Sequence, residues 1–240
     1  MNEINHHIIA TLHSPYKEKF AVPRQPGLVP SAHAELEMLA PYNDINAFNE
    51  LNAFSHLWLI FQFHKNAAPK KDALPWSPTV RPPRLGGNKR IGVFATRSPN
   101  RPNPIGLSLV KFNGVVQRDG KVFLLLSNID LVDGTPILDI KPYLPYADSL
   151  PNAEAGFAQT EPEENLTVNF SQQATTQLIQ LASQYPTLQL FIIEVLQQDP
   201  RPAYKKLKDD NKVYAMHLLD FNIKWQCQEK TILVLSLEQI

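Results

Sequence analysis

The segment IGLSLVKFNGVVQRDGKVFLLLSN, residues 105–128, predicts a β-hairpin. Two runs rich in apolar and β-branched residues, 105–117 and 121–128, stand on either side of an Arg-Asp-Gly triplet. An Asp-Gly pair between two such runs is typical of a tight hairpin turn, because both residues tolerate positive φ. A hairpin pairs its strands in antiparallel fashion, so this segment favours a fold based on an antiparallel sheet.

The rest of the first 149 residues contains further short segments with strand character. They alternate polar and apolar residues or form apolar runs with polar ends, and they cover residues 7–13, 34–39, 56–63, 91–95 and 135–140. Residues 44–54 place apolar side chains at helical spacing after Asp44, a suitable N-cap, and predict one helix. Six or seven strands with short connections and a single helix favour an antiparallel or mixed β-barrel.

The C-terminal part of the chain has a different character. Residues 150–168 are acidic and poor in bulky apolar side chains, and they predict a linker. The elements predicted beyond it are an amphipathic helix with Ala174, Leu178, Leu181 and Ala182, an apolar stretch at 188–196 that is either a helix or a strand, and strands at 214–226 and 231–237. The predicted fold class is therefore mainly β, a barrel domain over 1–149 with a small α+β domain over 169–240.

Composition excludes several classes of protein. The hydrophobic content of 43% and the charged content of 19% are typical of an ordinary globular protein. Cys227 is the single cysteine, which excludes an internal disulfide and a cysteine-based metal cluster. The N-terminus lacks the pattern of a signal peptide, and no stretch approaches the roughly 18 apolar residues of a membrane-spanning helix. We therefore expect a cytoplasmic protein with no membrane partner.

The formal net charge of zero hides an uneven distribution of charge. Residues 73–118 contain no Asp or Glu, although the average composition of the chain predicts about four acids over that length. The basic residues in the stretch are Arg81, Arg84, Lys89, Arg90, Arg97, Arg101, Lys111 and Arg118. Such a block can present a positive face to phosphates. A solvated loop that happens to be basic is the alternative, and charge alone does not choose between them.

The stretch GVFATRSPNRPNPIGLS, residues 92–108, predicts a rigid loop. Three prolines within six residues fix φ and remove backbone donors, so the loop can be neither a helix nor a central strand. Arg97 and Arg101 lie four apart on it, and rigid guanidinium groups suit the capture of a carboxylate or phosphate. The alternative is that both arginines pair with Asp130 or Asp133 inside the fold.

The acidic and histidine residues do not by themselves specify chemistry. Asp130 and Asp133 lie three apart at a predicted strand end, and Asp133 begins an Asp-Gly turn, so spacing alone assigns neither of them a role. His56 and His64 are eight apart and are predicted to share a face of one strand. Neither has a second ligand at metal spacing, so we expect no metal site. The fingerprints of Rossmann and P-loop nucleotide sites are also absent from the sequence.

Five strings together resemble the TsaA-like family, and within it the bacterial tRNA methyltransferases of the TrmO type. They are PYKEKFAVPRQPGL, RPPRLGG, GVFATRSPNRPNPIG, DLVDGTPILDIKPYLPYADSLP and QDPRPAY, and the resemblance extends over essentially the whole chain. It implies a single-sheet β-barrel and a homodimer that binds S-adenosylmethionine near the dimer interface. It also implies methylation of N6 of threonylcarbamoyladenosine at position 37, beside the anticodon of tRNA.

The resemblance also implies which residues bind the cofactor. By position these are Pro23, Arg24, Gln25, His64, Lys65, Arg97, Leu107, Ser127, Asn128, Ile129 and Asp130. We expect Lys65, Ser127 and Asn128 to contribute main-chain contacts. The cofactor carries a carboxylate that an arginine can meet and an adenine whose edge main-chain groups can read.

The target nitrogen bears a carbonyl substituent, so it must lose its proton as it attacks the methyl group. His64, Asp130 and Tyr204 are the candidate proton acceptors, and the sequence does not rank them.

The implied RNA partner is the anticodon loop of tRNA, whose bases are single-stranded and can enter a pocket. Arg84 and Arg101 are candidates to bind the threonyl carboxylate. Arg201 and Tyr204 can add an arginine and a stacking ring from the tail, unless their string is only a proline-rich turn docked on the barrel. A non-enzymatic RNA- or nucleotide-binding barrel is the competing function. A hydrolase is disfavoured, because the sequence contains neither a nucleophile elbow nor a metal set.

Overall fold

A computed structural model describes residues 4–66, 76–160, 166–202 and 212–240 of the chain. The strands in these ranges are β1 Ala10–His13, β2 His33–Met38, β3 His56–Gln62, β4 Thr79–Val80, β5 Ile91–Gly92, β6 Ile105–Arg118, β7 Lys121–Ser127, β8 Thr135–Pro142, β9 Thr167–Phe170, β10 Tyr214–Leu218, β11 Phe221–Gln228 and β12 Thr231–Gln239. The α-helices are α1 Pro145–Asp148, α2 Gln172–Leu181 and α3 Leu188–Gln197. Among the described residues, no helix has both the length and the apolar character needed to cross a membrane.

Six strands close into an antiparallel barrel in the order β1-β2-β7-β6-β3-β8. The period-two patterns of the sequence specify its core, because alternate side chains point to opposite faces of a strand. In β3, for example, Leu57, Leu59 and Phe61 are buried inside. The predicted hairpin is confirmed: β6 pairs with β7 up to Arg118 opposite Lys121, and both turn residues between them have positive φ. The mainly β barrel expected from the sequence is therefore the observed architecture.

The barrel part differs from the prediction at residues 44–54 and 91–95. Residues 44–54 form two 3-10 turns, Ile45–Phe48 and Leu51–Ala53, instead of one helix. Asp44 does cap the first turn by accepting a hydrogen bond from the backbone of Asn46, but Glu50 adopts φ of 64° and separates the two turns. The predicted strand at 91–95 is shorter, because Ile91–Gly92 pairs only with β4 in a two-stranded ribbon outside the barrel.

The C-terminal part consists of a four-stranded sheet, in the order β10-β11-β12-β9, with α2 and α3. Strand β9 begins at Thr167, two residues inside the segment predicted as linker, because it pairs in parallel with β12. Residues 214–226, predicted as one strand, contain the whole of β10 and most of β11, which turn back at Leu219 with φ of 52°. The ambiguous stretch at 188–196 is helix α3, whose buried residues recur at intervals of three and four.

The sheet of the C-terminal part packs directly against the barrel. Tyr16, between β1 and β2, forms a bridge with Leu218 at the end of β10. The backbone N–H of Leu219 donates to the carbonyl oxygen of Pro15 at 2.8 Å. The buried ring of Tyr16 also lies 5.7 Å from that of Phe191 on α3. The connection between β1 and β2 is therefore held between the two parts of the molecule.

Candidate functional site

Three connections meet at one end of the barrel. Because neighbouring strands run in opposite directions, the ends of β1, β3 and β7 lie at the same end as the starts of β2, β6 and β8. The connections are residues 14–32, 63–104 and 128–134, and they carry nearly all of the cofactor residues that the sequence resemblance implies. The topology thus brings together segments that are far apart along the chain.

Hydrogen bonds between backbone groups join the first and third of these connections. The N–H of Asn128 donates to the carbonyl oxygen of Ala32 at 3.1 Å, and the N–H of Gly27 donates to that of Asn128 at 3.4 Å. The N–H of Asp133 donates to the carbonyl oxygen of Tyr16 at 2.8 Å. These bonds place the loop of Pro23, Arg24 and Gln25 beside the residues that follow β7.

Hydrogen bonds link the two ends of the second connection to each other and link this connection to the first. The N–H of Phe63 donates to the carbonyl oxygen of Pro104 at 2.7 Å, and the side-chain amide of Asn66 donates to that of Pro99 at 3.0 Å. Lys65 donates from Nζ to the carbonyl oxygen of Lys17 at 3.1 Å. The proline-rich loop and the residues after β3 therefore form one rim with the β1–β2 connection.

Neither arginine of the proline-rich loop pairs with an acid in the described structure. Arg97 is exposed and donates from Nη1 to Oε1 of Gln25 at 2.6 Å. Arg101 donates from Nη1 to the carbonyl oxygens of Thr96 and Ser98, within its own loop. The alternative in which both arginines pair with Asp130 or Asp133 is therefore wrong, and the neutral partner of Arg97 leaves its charge available to an anion.

Asp130 is the carboxyl group with the most unusual environment at this end of the barrel. The residue retains some contact with solvent, but protein atoms surround its carboxyl group on most sides, and this burial raises the pKa of Asp130 to about 6. A hydrogen bond from Oγ of Ser108 to Oδ1 and the positive charge of Arg97 lower the pKa and offset part of the effect. A carboxyl group that titrates near neutrality is suited to accept and release a proton.

Asp133 lies three residues from Asp130, and His64 lies beside the Asp133-Gly134 turn, but both differ from Asp130 in role. Asp133 accepts the backbone N–H of Ser14 at 2.8 Å and pairs with Nζ of Lys17 at 2.9 Å, so it holds the β1–β2 connection. His64 lies two residues beyond the end of β3, next to the Asp133-Gly134 turn, where a Cβ added to Gly134 would lie 3.9 Å from Nε2.

The pKa of His64 is lowered mainly by burial and further by the charge of Lys65. The prediction that His56 and His64 share a face of one strand is wrong, because the strand ends at Gln62. Among the described residues, no group of three His, Cys, Asp or Glu side chains is placed to hold a metal ion.

The other implied cofactor residues have different degrees of access. Pro23, Ser127 and Ile129 are buried. Partial burial lowers the pKa of Arg24, against the opposing effect of the nearby Asp199. Leu107 is 56% exposed and points to the outside of β6, whereas its neighbour Ser108 points inward to Asp130. Leu107 thus lies on the outer face of the barrel wall.

An open cavity of about 760 Å³ adjoins this cluster beside β2, β6 and β7. Ser127 and Asn128 line it, and Leu219 of the C-terminal part closes one side. Arg97 and Asp130 do not line it, so the cavity meets the loop cluster at the end of β7 and along the β1–β2 connection, at Ser14, Pro15 and Pro30.

The candidate RNA-binding residues are scattered. Arg84 is exposed, and its Nη2 donates to two acceptors of Thr160. They are the backbone carbonyl oxygen and, at 3.2 Å, Oγ1. The side chain of Arg201 is only 4% exposed and donates to both carboxylate oxygens of Asp199. This geometry favours the docked proline-rich turn for the QDPRPAY string and removes Arg201 from the accessible surface. Tyr204 lies outside the described residues.

Two residues that support the site were not singled out from the sequence. Ser108 is a polar residue on the buried face of β6, and its place in the alternating pattern could have indicated a polar partner inside. Glu194 on α3 accepts hydrogen bonds from the backbone N–H and from Oγ of Ser31, at 2.9 and 2.5 Å. No local pattern could have found this contact, because it joins residues 163 positions apart.

Comparison with known proteins identifies the family. The profile of the tRNA-methyltransferase O N-terminal domain matches residues 11–149, and that of the TrmO C-terminal domain matches residues 163–240. The chain is 55% identical over 230 residues to a tRNA (adenine(37)-N6)-methyltransferase of Escherichia coli, with 96% of each chain covered. It is 44% identical over 219 residues, 90% of each chain, to a putative S-adenosylmethionine-dependent methyltransferase of Pseudomonas aeruginosa.

Solved structures agree with this assignment. A crystal structure of TrmO from Pseudomonas aeruginosa superimposes with a TM-score of 0.79 at 36% identity, covering 99% of both chains. Sequence and fold therefore agree over both parts of the molecule: the chain belongs to the tRNA-methyltransferase O family, and it is an enzyme of the methyltransferase class.

Proposed function

We propose that the enzyme transfers a methyl group from S-adenosylmethionine to N6 of threonylcarbamoyladenosine at position 37 of tRNA. The observation that carries this proposal is the arrangement around Asp130. A carboxyl group that titrates near pH 6 lies beside Arg97, an exposed arginine whose side-chain partner is neutral. A proton acceptor and an anion-binding group are what such a transfer needs from the protein.

The residues at the end of the barrel fit the chemistry of the cofactor. Arg97, with Gln25 as its neutral partner, can bind the carboxylate of the methionine part. Main-chain groups of residues 127–130 can meet the edge of the adenine, and the positive φ of Asn128 turns the chain there. When bound, S-adenosylmethionine supplies an electrophilic methyl group on its sulfonium.

Asp130 is the proton acceptor that this arrangement supports best among the three candidates. The carboxylate takes the proton from N6 as nitrogen forms its bond to the methyl carbon and the bond from carbon to sulfur breaks. The effect of the Arg97 charge on its pKa supports grouping it with the cofactor residues. His64, whose pKa is lowered by burial, lies instead by the Asp133-Gly134 turn. Most of the rate gain then comes from positioning of the two reactants.

The outward position of Leu107 supports a homodimer. Ile60 pairs with Leu107, and Trp58 pairs with Leu109, so neighbouring apolar side chains share the outer face of β3 and β6. A second copy of the chain packed on this face would place its side chains against Leu107, so residues of both protomers would form the site.

Sedimentation of the Leu107→Asp variant tests this arrangement, because a charged residue in the apolar face should prevent dimerisation and yield monomers.

Recognition of the tRNA rests on the basic residues near the site. Arg84 is exposed, and Arg101 uses one nitrogen of its guanidinium group for its own loop, so both retain donors for the threonyl carboxylate. The anticodon loop is single-stranded, and its bases can enter the site without the opening of a duplex. The carbonyl substituent also makes N6 more acidic than a plain amine, so a carboxylate can suffice as the base.

The test is methylation of defined tRNAs followed by mass spectrometry of their nucleosides. Transfer RNA that carries threonylcarbamoyladenosine should yield its N6-methyl derivative, and an unmodified transcript should remain unchanged. Methylation of the bare transcript at a comparable rate would indicate a general adenine N6-methyltransferase. If calorimetric titration detects no binding of S-adenosylmethionine, the alternative function applies, and the protein is a non-enzymatic RNA- or nucleotide-binding barrel.

A further inference from the structure

An exposed pair of aromatic rings lies on the ribbon outside the barrel. We call residues 76–96 the flap, because β4 and β5 form its ribbon and it belongs to neither sheet core. Trp76 and Phe94 face each other on it, with ring centroids 6.0 Å apart and planes inclined by 38°. Phe94 is nevertheless 72% exposed. A large ring that is supported on one side and open on the other is unusual enough to require an explanation.

The flap is also basic. It contains four basic residues and no acid, and all four are exposed: Arg81, Arg84, Lys89 and Arg90. Arg90 donates to Oγ1 of Thr79 at 2.8 Å, and Arg84 donates to Thr160. Both partners are neutral, so they orient the guanidinium groups without cancelling their charge. The surroundings of Phe94 are therefore suited to phosphates.

The flap leads directly into the candidate site. The 3-10 turn Val93–Ala95 carries Phe94, and Thr96 donates from Oγ1 to the carbonyl oxygen of Val93 at 2.8 Å. The N–H of Val93 donates to the carbonyl oxygen of Pro78 at 2.9 Å, which ties the turn to β4. Arg97, which meets Gln25, follows immediately. A base held by Phe94 would thus lie close to a base placed in the site.

We infer that Phe94, supported by Trp76, stacks on an unpaired base of the tRNA anticodon loop next to the target adenosine. The inference rests on the proposed function and adds a recognition surface to it. Exposed rings beside cations are the usual platform for single-stranded RNA, because every base offers a π-face and the cations meet its phosphates. Another protein chain is the competing occupant, because arginine and aromatic residues are also enriched in protein interfaces, and the measurements below distinguish it from RNA.

The experiment compares Phe94→Leu and Phe94→Tyr in the full-length protein. The tRNA used carries threonylcarbamoyladenosine at position 37 and, in a second preparation, 2-aminopurine at the neighbouring position. Phe94→Leu should raise the KM for tRNA about tenfold, whereas Phe94→Tyr should remain close to the parent because it keeps the ring. Fluorescence of 2-aminopurine should be quenched on binding to the parent and to Phe94→Tyr but not to Phe94→Leu.

The control is Ile179→Ala, which removes an apolar side chain of the same 72% exposure from α2, far from the flap along the chain. It should leave the KM for tRNA unchanged. Equal KM values and equal quenching for the parent and Phe94→Leu would overturn the inference. A change in the sedimentation of Phe94→Leu would also overturn it and would assign Phe94 to a protein contact. A change in the affinity of this variant for S-adenosylmethionine would assign Phe94 to the cofactor site instead. A parent protein that methylates no tRNA would instead overturn the proposed function.

Discussion

At the scale of the residue, the balance of charge around Asp130 controls the proposed chemistry. Burial disfavours its ionised form, while Ser108 and Arg97 favour it, and the pKa settles at about 6. The carboxyl group is therefore ionised at pH 8 and mostly protonated at pH 5. Only the ionised form can accept the proton of N6.

We expect kcat/KM to increase with pH through about 6 and then to level off. The Asp130→Asn variant should lose this increase and should reduce kcat by a factor on the order of 100 to 10,000, the usual contribution of a positioned base. Rates of methylation between pH 5 and 8.5 measure both effects. As a control, Asp139→Asn changes a more exposed carboxylate paired with Lys141 and should behave as the parent. A parent-like rate for Asp130→Asn would assign the proton to another group.

Arg97 is the second residue whose role can be isolated. Arg97→Ala removes an exposed side chain and no core volume, so we expect unchanged thermal unfolding but a loss of at least about tenfold in affinity for S-adenosylmethionine. Calorimetric titration measures the affinity. Arg90→Ala is a matched control, because Arg90 is also exposed and also has a neutral side-chain partner. Equal affinity in Arg97→Ala and the parent would exclude Arg97 from the cofactor site.

At the scale of the element, helix α3 supports the loop that carries Gln25. Glu194 holds Ser31 through two hydrogen bonds, and Nε2 of Gln198 donates to the carbonyl oxygen of Leu28 at 3.4 Å. The loop thus has the barrel on one side and a helix of the C-terminal part on the other. This contact explains how a domain outside the barrel can affect the site within it.

We therefore predict that Glu194→Ala weakens binding of S-adenosylmethionine several-fold, because loss of a charged acceptor leaves the loop around Ser31 less ordered. The kcat at saturating cofactor should change little, since no reacting group is removed. Leu190→Ala, an exposed change on the same helix, is the control. If kcat falls and cofactor affinity does not, the helix acts on the chemistry by another route.

At the scale of the whole molecule, the distribution of charge matters more than its sum of zero. All of the acids lie outside residues 73–118, so the field near the flap and the proline-rich loop is positive although the protein is neutral. A neutral protein with such a face can bind RNA without attracting it to its whole surface.

The dependence of tRNA affinity on salt tests this arrangement. The logarithm of the affinity should decrease linearly with the logarithm of the salt concentration, because phosphate contacts release counterions. Replacement of Lys89 and Arg90 by glutamine should reduce the slope. Replacement of Lys141 and Lys224, exposed cations outside the basic stretch that pair with acids, should leave the slope unchanged. A flat dependence in the parent would mean that the basic stretch faces away from the RNA.

The sequence alone determined the strands of the barrel and its hairpin. The apolar runs in residues 56–63, 105–117 and 121–128 specify strands, and Asp119-Gly120 supplies the positive φ values of the turn. These are local properties, because a period of two and a turn type depend only on near neighbours. The single helix predicted from the apolar spacing of residues 44–54 was wrong for the same reason, because that spacing does not reveal the break at Glu50.

Only the tertiary structure decided how the candidate site is assembled. Family motifs pointed to Asp130 and Arg97, but the bond from Ser108 that helps to set the pKa of Asp130 joins β6 to the connection between β7 and β8. The contact of Glu194 with Ser31 likewise depends on how distant elements pack, because the two residues are 163 positions apart. Exposure, pKa and hydrogen-bond partners are properties of a residue's surroundings in space, and a linear pattern does not contain them.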